Sequence, residues 1–268
     1  MPELPEVETT SQRLHKYIQG KQIKSSSVFW KRTLSDISLQ QFNQHSKGYT
    51  IQSVSRRAKY IVITLQKSEI TKYISIHLRM TGKVRFDTNP QKLKHDRLQI
   101  SFQDGSAFTL EDVRKFGKVC LFEDFDQFFS HIGPEPFDKE LNPKKFFAML
   151  SKRRTKLKPL LLNQGFIAGL GNIYVDESLW ASKLHPNLTA DKVTAEQSKE
   201  LLKNIRRILK QAIAKGGTDY GDGVIEFGFF NPKVYGRKEE PCKRCKSKVE
   251  RIVVAQRGTH ICPKCQKL

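Results

Sequence analysis

Short apolar runs separated by polar turns dominate the first half of the chain. KYIVITL (59–65), KYISIHL (72–78), DRLQISF (96–102) and KVCLFED (118–124) alternate or stay apolar over strand length and then break, which is the pattern of half-buried β-strands. Within residues 1 to 135 they predict a β-sandwich or flattened barrel. The start of the chain differs: Val7, Leu14 and Tyr17 are spaced for a helix, predicted from Val7 to Tyr17 and flanking the sheets. GPEPFDKELNP (133–143) carries three prolines and no sustained period, so it reads as a linker. Beyond it PKKFFAMLSKRR (143–154), NIYVDESLWASK (172–183) and TAEQSKELLKNIRRILKQAIAKGG (194–217) look helical. The last opens on Thr194, a good N-cap, and closes on a glycine pair. The pattern predicts an α+β, multidomain chain: an N-terminal β-sandwich with a flanking helix over 1–135, a helical domain over 136–236 and a cysteine-rich module over 237–268. No internal repeat or low-complexity tract interrupts it.

Length and charge narrow the partner. At 268 residues the chain can bury a substantial core and fits one large or two smaller domains, two being expected. No apolar run approaches the roughly 20 residues of a membrane span. The acidic start, MPELPEVETT, lacks the basic-then-apolar layout of an export signal, so a cytoplasmic protein is expected. Lys plus Arg number 48 against 27 Asp plus Glu, a formal net charge of +21. Such a surplus predicts a polyanionic partner held through counterion release, with steeply salt-dependent binding.

Cysteine placement identifies a metal site. Cys120 stands alone, while Cys242, Cys245, Cys262 and Cys265 form Cys-x2-Cys-x16-Cys-x2-Cys. Four thiolates so spaced close a tetrahedral shell around Zn²⁺, and with every position filled by sulfur no site remains for an activated water. One structural zinc per chain is expected, holding the basic hairpin ERIVVAQRGTH (250–260), with Arg257 at its turn aimed at phosphate. Residues 237–268 carry ten Lys or Arg and three Glu, a surplus of seven before the metal is counted.

Two further segments bear on chemistry. AGLGNIYVDESLW (168–180) sets Gly169 and Gly171 before a helix starting near Asn172, a layout that lets a phosphate approach helix-terminal amides. It is also a common way simply to turn a chain. Glu3, Glu6 and Glu8 in MPELPEVETT fit an acidic first helical turn. Proline beside the initiator makes Met1 readily removable, and its loss leaves a secondary amine that is partly neutral, hence nucleophilic, near neutral pH.

Taken together, MPELPEVET (1–9), RRAKYIV (56–62), HLRMTGK (77–83), DVRKFGK (112–118), GPEP (133–136), KPLLLNQGFIAGLGNIYVDE (158–177), VYGR (234–237) and the terminal cysteine motif resemble formamidopyrimidine-DNA glycosylase. They follow that family's order and span nearly the whole chain. The resemblance implies a base-excision-repair glycosylase with abasic-site lyase activity that removes oxidised purines, namely formamidopyrimidine and 8-oxoguanine. It also implies a helix-two-turn-helix domain between the sandwich and the zinc finger, and a monomer acting on double-stranded DNA in the cytoplasm, nucleoid-associated through that DNA. By resemblance Pro2 attacks C1′ of the damaged nucleotide, Glu3 is the acid/base carboxylate, Glu6 supports the terminus and Lys59 contacts phosphate at the lesion. His77 falls among the DNA-contacting residues. Met80, Arg114 and Phe116 match the residues that fill the gap left by the extruded base, although by pattern alone Met80 and Phe116 suit a core equally well. Lys158, Asn172 and Arg257 match phosphate-gripping positions.

The chain also departs from the family pattern. Asn163 stands where Asp is commoner, and Arg79 where many members have Gly. GGTDYGDGVIEFGFFNPKV (216–234) is shorter than the family's lesion-capping loop, so the expectation is a broad spectrum, with formamidopyrimidine cut better than 8-oxoguanine opposite cytosine. Two alternatives remain open: an endonuclease VIII-like enzyme favouring oxidised pyrimidines, and a non-catalytic zinc-dependent DNA-binding protein.

Overall fold

The computed structural model describes residues 1–35, 37–219 and 228–268. The chain divides after Ser130 into one unit holding Met1–Ser130 and a second holding His131–Thr218 and Gly228–Leu268.

In the first unit, helix α1 (Leu4–Ile18) begins at a reciprocal cap. The side chains of Glu3 and Glu6 each accept the other's backbone N–H, and Pro5 sits in the first turn, where no hydrogen bond is lost. The buried stripe is Val7, Ser11, Leu14 and Ile18. Tyr17, assigned to this face by the sequence pattern, is instead 55% exposed and stacks on Phe86, because the stripe steps four residues from Leu14 to Ile18.

Two four-stranded antiparallel sheets follow. One orders β2 (Thr50–Arg57), β3 (Tyr60–Lys67), β4 (Ile70–His77) and β8 (Lys118–Phe122) side by side. The other orders β1 (Ile23–Val28), β6 (Asp96–Phe102), β7 (Ala107–Asp112) and β5 (Gly82–Asp87). Ile61, Ile63, Ile74 and Ile76 of the first sheet share one core with Leu98, Ile100, Phe108 and Leu110 of the second and with Val7, Leu14 and Ile18 of α1. Helices α2 (Leu39–Ser46) and α3 (Phe125–Phe129) complete the unit. The predicted runs correspond to β3, β4, β6 and β8, with Lys59 falling in the turn before β3. In β2 a register shift between Ile51 and Ser53 puts the buried Ile51 and Val54 three residues apart, which hides its alternation.

Two connections cross between the sheets at one end. Residues 78–81 join β4 to β5 and residues 113–117 join β7 to β8. The pairs His77–Lys118 and Gly82–Asp112 set them side by side.

The second unit packs α4 (Pro143–Ser151), α5 (Leu157–Leu162), α6 (Asn172–Ala181) and α7 (Ala195–Ala214) with a two-stranded ribbon, β9 (Glu250–Val254) and β10 (Arg257–Ile261). Thr194 caps α7 as predicted, accepting the Gln197 N–H, and the helix buries Leu201, Ile205, Ile208 and Ala212. The proline-rich segment is not a free linker. Gly133 lies so close to Gly165 that a Cβ would meet its carbonyl oxygen at 2.6 Å, and Arg206 of α7 donates to the carbonyls of Pro136, Asp138 and Leu141. Those contacts build it into the second unit, so the boundary falls before it rather than between residues 135 and 136. The zinc module belongs to the same unit as the helices. Among the described residues no helix is long and apolar enough to cross a membrane.

Candidate functional site

The N-terminal group of predicted residues lies at the head of α1. Pro2 is buried, as are Glu3 and Glu6. The Glu3 N–H donates to Glu6 Oε2 at 2.7 Å, which fixes the backbone one residue after Pro2. Arg56 of β2 donates through Nε to Glu8 of α1 at 2.9 Å and through a terminal nitrogen to the Ala58 carbonyl at 2.9 Å. One guanidinium therefore ties α1 to the tight turn that carries Lys59. Ala58 adopts φ +51° there, and Lys59 is buried apart from 5% of its surface.

His77 pairs with Tyr60 in the neighbouring strand, one residue after Lys59, and its ring meets that of Tyr60 edge-on at 4.7 Å. Its Nδ1 accepts the Arg79 N–H at 3.0 Å, so the neutral ring carries its proton on Nε2. Burial first, then the positive charges of Arg79 and Lys59, push the imidazole pKa down to about 3. At neutral pH this side chain is an uncharged donor beside two cations, a combination suited to a phosphate oxygen.

Met80, Arg114 and Phe116 ride on the two crossovers, and all three are solvent-facing rather than in the core: Met80 is 39% and Phe116 48% exposed. The Arg114 guanidinium lies 4.9 Å from the Phe116 ring centroid. Backbone geometry explains the local residue choices. Gly82 folds back on Leu78 so tightly that a Cβ would sit 2.4 Å from the Leu78 oxygen, and Arg79 adopts φ +55°. A left-handed backbone there is one that glycine adopts without strain.

In the second unit the structure separates three residues grouped by resemblance. Arg257 is exposed and opens β10; the turn itself is Ala255 and Gln256, at φ +46° and +61°, the left-handed pair of a tight hairpin. Asn172 is the first residue of α6 and donates through Nδ2 to the Gly258 carbonyl at 3.1 Å. Lys158 is fully buried, with Nζ donating to Asp176 Oδ1 at 2.7 Å and to the same Gly258 carbonyl at 3.0 Å. An ammonium so enclosed does not present itself to a phosphate. It holds Gly258, and with it the strand that starts at Arg257.

Two carboxylates escaped the sequence reading although a signal was present: α6 is buried on nearly every face, yet contains adjacent acids. Asp176 binds Lys158 and accepts the His260 N–H at 2.8 Å. Glu177 accepts the backbone N–H groups of Lys233, Val234 and Tyr235 at 2.8–2.9 Å; burial pushes its pKa up against those bonds. It thus anchors the C-terminal end of the predicted lesion-capping segment, of which residues 220–227 lie outside the described residues.

The four C-terminal cysteines have ligand atoms within 4.8 Å of one another, compatible with the about 3.8 Å sulfur separation of a tetrahedral Zn–S₄ shell. Without a cation they would titrate unevenly. Burial pushes Cys262 up to about 12, while hydrogen bonding to Ser247 draws Cys245 down to about 6. A divalent ion removes that conflict by making all four thiolates. Trp180 Nε1 donates to the Cys242 sulfur at 3.4 Å, and Gln266 joins the second knuckle to the Leu184 carbonyl, so the site is fastened to the helices. The four cysteines form a structural zinc site.

Two predictions follow from this geometry. Because the folded pKa of His77 lies near 3 and the unfolded one near the ordinary 6.5, only the unfolded chain takes up this proton between those values. Stability is therefore lost as pH falls below 6.5, by up to about 1.4 kcal/mol per pH unit for one proton. His77→Asn, which keeps an acceptor for the Arg79 N–H, should flatten that acid limb in urea titrations run at successive pH values. Metal analysis of fresh protein should find about one zinc per chain. Cys262→Ser should lose it together with DNA affinity while the first unit stays folded by circular dichroism; zinc-free wild-type protein would contradict the assignment.

Comparison with known proteins agrees along the whole chain. Residues 1–119 match the formamidopyrimidine-DNA glycosylase N-terminal domain, 132–222 its H2TH domain, and 239–268 the zinc finger found in FPG and IleRS. A formamidopyrimidine-DNA glycosylase of Protochlamydia amoebophila is 39% identical over 278 aligned residues, covering all of both chains. The Lactococcus lactis Fpg in complex with DNA containing N7-benzyl-Fapy-dG is 38% identical, with TM-score 0.92 over the full length of both. A complex of the same Lactococcus protein with DNA containing an oxidised pyrimidine superposes at TM-score 0.91, again 38% identical and covering both chains fully. This chain belongs to the formamidopyrimidine-DNA glycosylase family of base-excision-repair enzymes.

Proposed function

We propose that the chain excises oxidised purines from duplex DNA and cuts the resulting abasic site, with the amine of Pro2 as nucleophile once Met1 is removed. The observation that carries this reading is the buried head of α1, where Pro2 adjoins two buried carboxylates and Glu6 holds the Glu3 N–H. Attack of the amine lone pair on C1′ forms the C–N bond as the damaged base departs with the glycosidic electron pair. Ring opening leaves an iminium, which carries its charge permanently because the amine is secondary. This cation draws electrons from the C2′–H bond, and loss of that proton expels the 3′ phosphate, followed by elimination on the 5′ side. Glu3 serves as the acid/base carboxylate and Glu6 as the support of the terminus.

Each unit supplies recognition residues of its own. Lys59 and the neutral His77 hold phosphate near the lesion, and Met80, Arg114 and Phe116 occupy the space the extruded base leaves, offsetting part of the few kcal/mol lost on unstacking. Asn172 and Arg257 grip the phosphate backbone, with Lys158 holding the strand that Arg257 opens. A net charge of +21 fits action in the cytoplasm, on nucleoid DNA.

The complex of the Lactococcus relative with an oxidised pyrimidine favours a spectrum wider than purines. A site without extensive hydrogen bonding to the lesion edge discriminates weakly, because no polar groups are left unpaired by a wrong base. Single-turnover cleavage of matched duplexes carrying formamidopyrimidine, 8-oxoguanine opposite cytosine, thymine glycol or dihydrouracil tests this. Formamidopyrimidine should be cut fastest and 8-oxoguanine more slowly. A preference for both pyrimidine lesions would overturn the purine assignment, and a strong preference for 8-oxoguanine would refute an open pocket.

A further inference from the structure

Asp112 ends β7 and is almost fully buried. Its Oδ1 accepts the Thr81 hydroxyl and the Arg114 N–H, the latter at 3.1 Å, while its Oδ2 accepts the N–H groups of Phe116 at 2.6 Å and Gly117 at 2.7 Å. The Thr81 oxygen also accepts the Arg114 N–H at 3.2 Å, linking the two crossovers directly. A carboxylate offers about four lone-pair positions, and here each has a donor. The anchor is itself fixed, since the Asp112 N–H donates to the His95 carbonyl and its own carbonyl accepts Arg97 Nε at 2.7 Å. Thr81 directly follows Met80, and Arg114 and Phe116 flank Lys115, which adopts φ +61°. All three exposed side chains thus hang from backbone held by one anion.

We propose that Asp112 is the positioning residue that joins Met80, Arg114 and Phe116 into a single rigid wedge. This rests on the gap-filling role given to those three side chains above. A wedge that opens a base stack works against a few kcal/mol of unstacking. A loop free to yield would deform instead of the DNA, whereas four hydrogen bonds to a buried charge resist that deformation.

The test is Asp112→Asn, which preserves shape but turns an amide nitrogen toward either the Phe116 and Gly117 N–H groups or the Arg114 and Thr81 donors. Two rates are compared for full-length protein: single-turnover excision from a duplex, and scission of a preformed abasic site in single-stranded DNA, where there is no stack to open. The ratio of the first to the second should fall about 10- to 100-fold. Thr81→Val, which removes one of the four donors, should lower it less, by about 3- to 10-fold. A 2-aminopurine opposite the lesion should show less unstacking in both variants. An unchanged ratio in both, or equal loss of the two activities in both, would overturn the proposal, the latter because Asp112 would then only support the fold. Borohydride adducts of the parent on the single strand keep this separate from the chemistry, since their absence would instead indict Pro2.

Discussion

A carboxylate removed from water keeps its charge only if donors replace the water, and in this chain backbone N–H groups supply them. Glu6 accepts the N–H of Glu3, Asp112 those of Arg114, Phe116 and Gly117, Asp176 that of His260, and Glu177 those of Lys233, Val234 and Tyr235. Each acid lies on a helix or at a strand end; Glu6, Asp112 and Glu177 fix segments outside regular structure, and Asp176 fixes β10. Hydrogen bonds to a charged acceptor contribute roughly 1.5–3 kcal/mol, about twice a neutral one. Truncating such an acid strands several buried donors at once. Those four anchors hold the head of α1, the crossovers, the zinc ribbon and the C-terminal end of the capping segment.

The same arrangement bears on charge. With 48 basic and 27 acidic side chains, acids spent on internal anchoring leave the basic groups to dominate the surface. Lys158 is a cation placed fully inside, where Asp176 neutralises it. A buried ion pair is poor evidence of net stability, but removing one partner is costly. Its effect is specificity of position: Lys158 and Asn172 converge on the Gly258 carbonyl and tie α5 and α6 to the ribbon.

The sequence made much of this legible, and the failures have identifiable causes. Thr194, the β3, β4, β6 and β8 runs and the cysteine spacing each state their structure locally. β2 was hidden by a bulge that breaks alternation, and Tyr17 was misplaced because two apolar residues compete for the end of one stripe. Met80 and Phe116 are ambiguous between wedge and core on pattern alone; their exposure takes them out of the core. Lys158 shows the limit of transferring roles by motif, since a basic residue in a phosphate-binding stretch can be consumed by a neighbouring acid that the pattern does not weigh. Asp112 escaped altogether because its partners are backbone groups, which every residue has and no sequence displays.

The central claim is that the terminal secondary amine does the chemistry. Borohydride reduction of the protein on DNA bearing an abasic site, followed by peptide mapping, tests it most directly. The account predicts a covalent adduct at Pro2 in protein whose intact mass lacks Met1, and none in protein that retains it. Efficient trapping by the Met1-retaining form, or an adduct mapped to Lys59, would contradict it.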